Sequence, residues 1–96
     1  MEPWQQYLEA LKERAVRIPD DAFGRGEMMA EAAHDAYQRT TNQLTADGWD
    51  EESALMVTRL FGQTVKKWIA SGADWAVLEA ELRREYTNWN DGRRES

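Results

Sequence analysis

With 96 residues, 42% of them apolar and 31% charged, the chain can build one modest hydrophobic core, which excludes a multidomain protein and a disordered one alike. The lack of cysteine excludes disulfides, thiolate metal sites and a cysteine nucleophile. The net charge is −6, with ten acids against five bases in the first fifty residues and eight against seven in the rest, so no basic stripe exists for direct binding to a nucleic-acid backbone.

The first predicted element begins at Pro3, whose missing N–H costs nothing in a first helical turn. Trp4, Tyr7, Leu8, Leu11, Ala15 and Ile18 then recur at three- and four-residue steps, one face of an α-helix, until Pro19 stops it. Gly24 and Gly26 argue for an irregular link after Pro19, with Phe23 expected to tuck inward. A second helix is expected over about 27–46. Its inward face is Met29, Ala32, Ala33, Ala36, Thr40 and Leu44, with Tyr37 on the flank, and Asp47-Gly48 ends it.

The third helix has the clearest start. Asp50 is a strong N-cap, Glu51 and Glu52 favour the positive end of the dipole, and Trp49 is placed to staple onto Ala54. Its stripe is Ala54, Val57, Phe61, Val65, Trp68 and Ile69, widened by Leu60 and Thr64, and Ser71-Gly72 closes it. Leu55 and Met56 fall outside the stripe. They are read either as an exposed apolar patch or as a sign that this helix is central, the latter being the simpler account. A fourth helix starts near Asp74 and aligns Trp75, Leu78, Leu82, Tyr86 and Trp89, and Asn90-Asp91-Gly92 is expected to end it. No segment alternates with the period of two that marks a strand. The expectation is an all-α protein: one domain over residues 1–92, packed as an antiparallel bundle or compact helical array, with 93–96 as a frayed tail.

One spacing carries possible metal chemistry. Glu31-Ala32-Ala33-His34 sets a carboxylate and an imidazole a turn apart, resembling one half of a carboxylate-bridged di-iron site, and a ferritin-like helical dimer built on Glu31 and His34 is the rival reading. Such sites need a further Glu from another helix, and none stands on a matching apolar background. Glu27, Glu31, His34 and Gln38 read more simply as the solvated back of an amphipathic helix, so no metal or cofactor is expected. The sequence contains no Ser–His–Asp context, no phosphate-cradling loop and no basic recognition helix.

What remains points to binding. Five tryptophans are many for a core this small, and Trp and Tyr are the usual anchors of protein interfaces. Tyr86 and Trp89, near Arg83, Arg84, Arg93 and Arg94, are expected at or near an interface, with Trp49, Leu55 and Met56 as further candidates. The leading expectation is a non-enzymatic adaptor, assembly factor or inhibitor whose partner is another protein, a homodimer being one form of that. Mobile elements encode acidic helical proteins of this stamp, inhibitors of host defence among them. An acidic mimic of nucleic acid is a third reading. No apolar run approaches the roughly 18–20 residues of a membrane span, and Met1-Glu2-Pro3-Trp4 does not read as a signal peptide. A cytoplasmic location is expected.

Overall fold

The computed structural model describes residues 1–95, with side-chain surroundings given through residue 92. Four helices follow in order: α1 (Pro3–Ala15), α2 (Arg25–Ala46), α3 (Glu51–Ser71) and α4 (Trp75–Glu95), with no strand among the described residues. None of the described helices is long and apolar enough to cross a membrane.

Local chemistry sets most of the boundaries. The Glu2 N–H donates to Gln5 Oε1 at 2.9 Å, tying down the first turn of α1. The helix ends at Ala15, three residues short of the expected Ile18. A proline disfavours helical geometry in the residue before it, so 16–18 leave the helix as a turn held by Ile18 N–H on Ala15 O at 3.0 Å. Asp50 caps α3 as expected, its carboxylate accepting from Ser53 N–H at 3.0 Å. Gly72 takes φ +71 just past the end of α3, the left-handed conformation that glycine adopts without strain.

Two expectations are overturned here. Phe23 does not tuck inward; it is fully exposed. Helix α2 begins at Arg25 rather than Glu27, and the link is taken up by turns from Pro19 to Ala22 and from Ala22 to Arg25. Too little chain remains to fold back over the core, so Phe23 stays at the tip. Nor does Asn90-Asp91-Gly92 end α4, which continues to Glu95. Gly92 is not among the glycines with positive φ, and a glycine left in a helix costs only about 1 kcal/mol, less than an established helix can absorb. The expected tail at 93–95 is thus helical, and Ser96 lies outside the described residues.

The helices alternate in direction. Trp68 near the end of α3 meets Trp75 at the start of α4 with ring centroids 4.8 Å apart, and Trp68 Nε1–H donates to Asp74 O at 2.8 Å. At the opposite end Trp49, just before α3, stacks on Trp89 of α4. Helix α1 runs beside α2, α3 and α4, whereas among the described residues the backbones of α2 and α4 do not approach each other. The core gathers where α1 crosses the others. Tyr7 and Phe61 are wholly buried with rings 5.4 Å apart, and Tyr86 stands 6.4 Å from Phe61. Tyr7 Oη–H donates to Ala33 O of α2 at 3.2 Å, so one side chain links three helices. Burial pushes its phenol pKa well above the usual tyrosine value. Met29, Ala32, Ala36, Thr40 and Leu44 of α2 and Ala54, Val57, Phe61, Val65 and Trp68 of α3 are buried, as their spacing predicts.

Candidate functional site

The aromatic residues singled out in the sequence come together. Trp49 and Trp89 stack at 5.8 Å with rings 11° from parallel, and Tyr86 stands 6.2 Å from Trp89. Through Phe61 and Tyr7 this cluster continues into the core. Trp49, Tyr86 and Trp89 are each half-buried. Trp49 therefore serves α4 rather than only the first turn of its own helix, a pairing that spacing along one element cannot reveal. Arg83 and Arg84 are exposed, Arg84 reaching Glu85 at 3.7 Å; the side chains of Arg93 and Arg94 lie outside the described residues.

Leu55 and Met56 part company. Leu55 is half-buried and Met56 about half exposed, so neither belongs to the core and the central-burial account does not hold for Met56. Leu55, Arg59, Gly62, Lys66 and Ile69 follow one another at steps of four and three residues, hence on one side of α3. That side is one wall of a feature the sequence did not disclose.

Between α2 and α3, away from α1, lies an open groove of about 690 Å³. Ala30, Ala33 and Tyr37 line it from α2; Gly62 and Ile69 line it from α3. Its lining is mostly apolar, and its edge carries His34 on one side and Arg59, Gln63 and Lys66 on the other. Gly26, Ala30, Ala33 and Gly62 leave the floor of the groove unfilled. Ala33, which its spacing assigned to the inward face, and Tyr37, expected on the flank, both line it half-buried. Above it, Thr41 Oγ1 lies 2.9 Å from Thr58 Oγ1, which donates to Ala54 O at 2.8 Å, and this link holds the walls together.

Glu27, Glu31, His34 and Gln38 are all exposed. His34 lies 6.1 Å from Tyr37, rings nearly parallel, at the lip of the groove. Among the described residues no three His, Asp or Glu side chains converge as metal ligands would. What the groove offers is apolar surface with charges at its margin. A second cleft, of about 480 Å³ between α1 and α2, is crossed by the Arg39–Glu13 ion pair at 3.3 Å and has no comparable apolar wall.

No protein-family model, no curated protein and no solved structure matches this chain.

Proposed function

We propose that this chain is a non-enzymatic protein-interaction module, a small acidic helical adaptor, assembly factor or inhibitor, that receives a helical face of its partner in the groove between α2 and α3. The observation that supports this most is Gly62 on the wall of an open apolar groove. Glycine inside a helix costs about 0.5–1 kcal/mol relative to alanine. A Cβ at Gly62 would meet nothing within 4 Å, so packing within the chain supplies no reason for that cost. A second helix crossing closely over α3 does supply one, because axial separation is set by the side chains at the contact.

The groove also has the composition of such a contact. Helix-in-groove recognition uses an apolar trough for the anchors and a polar rim for register, here Ala30, Ala33, Tyr37 and Ile69 with Arg59, Gln63, Lys66 and His34 around them. The reading assigns the protein to the cytoplasm, in keeping with a chain free of cysteine. The test is a photo-crosslinking residue at position 62, compared in host cells with one at the exposed Asn88 of α4. Discrete protein adducts from position 62 and none from 88 are the expected result. If position 62 gives no protein adduct above that background, the groove is not a protein-binding site and the proposal is wrong.

A further inference from the structure

We infer that the groove between α2 and α3 is filled by a second copy of this chain, in a dimer whose twofold axis runs along the groove. This rests on the reading of the groove as a protein-binding surface and names its occupant. Arg59 and Lys66 stand on the α3 edge, both exposed and in no ion pair among the described residues. Glu27 and Glu31, exposed on the outer side of α2, are likewise unpaired. Cations thus stand at the α3 edge of the groove, and carboxylates stand on α2 outside the lip that His34 forms. A surface so divided complements itself, as a twofold contact requires, since residue i meets j and j meets i.

The same division selects the axis. A twofold axis lying across the groove stacks α2 on α2 and α3 on α3, setting like charges together. An axis along the groove stacks α2 of one copy on α3 of the other. Gly26 and Ile69 lie at the same end of the groove, where both also border the cleft beside Gly72 and Trp75. Counting along the antiparallel helices from there, Lys66 of one copy falls within about one turn of Glu27 and Glu31 of the other. Arg59, further along, falls near Gln38. Ala30, Ala33, Gly62, Tyr37 and Ile69 from both copies then face one another as the interior of a four-helix layer, and Gly62 admits the closest approach.

The test is sedimentation of the purified full chain and of two charge-reversed variants, Arg59→Glu/Lys66→Glu and Glu27→Lys/Glu31→Lys. The four residues are exposed and unpaired, so each variant should stay folded and melt like the wild type at concentrations too low for either to dimerise. The wild type should dimerise, and each variant alone should associate at least about tenfold more weakly, because like charges now meet across the contact. Mixed in equal amounts, the two variants should form a heterodimer, since each repairs the other at both edges. Arg83→Glu/Arg84→Glu, which makes the same change of net charge on α4, should leave dimerisation intact. Gly62→Leu is an independent block, its Cβ meeting nothing within 4 Å in its own chain, and should abolish dimerisation. A wild type that stays monomeric at several hundred micromolar, or variants that dimerise unchanged and gain nothing on mixing, overturns the inference. A monomeric chain whose position 62 still crosslinks to a different protein refutes the dimer alone; a monomer with no protein adduct refutes the broader reading as well.

Discussion

Replacing Phe61 with alanine should remove a large part of the stability of this protein. Its ring is wholly buried and is held between Tyr7 at 5.4 Å and Tyr86 at 6.4 Å. A Phe→Ala change in a core costs about 3–5 kcal/mol in lost transfer energy and cavity formation. The two ring contacts, worth about 0.5–1.5 kcal/mol each beyond burial, place Phe61 in the upper half of that range. A domain of this length has about 5–14 kcal/mol to lose. At about 4–8 °C per kcal/mol, the midpoint of thermal unfolding should fall by at least about 15 °C. Urea unfolding followed by circular dichroism at 222 nm measures the change, and an unaltered slope would show that it reflects stability rather than a change in the unfolded chain. Phe61→Leu, which keeps most of the volume, should cost less than about half as much. A loss below about 1 kcal/mol for Phe61→Ala would mean that α1, α3 and α4 do not meet around this ring, and the packing described above would be wrong.

Three further outcomes follow from particular contacts. The buried Tyr7 phenol resists ionisation in the folded state, so the unfolded chain loses that proton first; stability should be intact below about pH 10 and fall as pH rises beyond it, and Tyr7→Phe should flatten the fall while costing about 1 kcal/mol for the bond to Ala33. An alkaline decline as steep in the mutant as in the wild type would contradict the burial of this group. Thr40 is buried with its hydroxyl unpaired among the described residues, so Thr40→Val should raise stability by about 1 kcal/mol in urea titrations, and a clear loss would reveal a partner for that oxygen. Trp49→Ala and Trp89→Ala should show a coupling of about 0.5–1.5 kcal/mol in a double-mutant cycle, because their rings stack; purely additive effects would rule the stack out in solution.

Much of the secondary structure was legible because its causes are local. Asp50, two glutamates and an apolar stripe announce α3 with no reference to the rest of the molecule, and Met29, Ala32, Ala36, Thr40 and Leu44 face inward as their 3.6-residue period requires. The aromatic residues at the far end of α4 were legible as a group, since Tyr86 and Trp89 share one face. The stacking of Trp89 on Trp49 was not, since that contact joins residues forty positions apart. Phe23 and the Asn90-Asp91-Gly92 segment were misjudged for a related reason. Apolar character says that a side chain gains by burial, but only the span and direction of the link decide whether Phe23 can reach the core. A turn-forming triplet favours a stop, but a helix already held by its hydrogen bonds and by packing on α3 and α1 can run through one.

The class of fold, the four amphipathic helices and most of their inward positions were therefore readable along the chain, because propensity, capping and periodicity act within a few residues. Which faces meet was decided by the tertiary structure. Only there do Ala33 and Ile69, read as inward-facing, and Tyr37, read as flanking, become with Gly62 the walls of a groove that has Arg59 and Lys66 on its α3 edge. A groove is made by what two helices leave unfilled between them, and that depends on the angle and register at which they pack, which no single helix encodes.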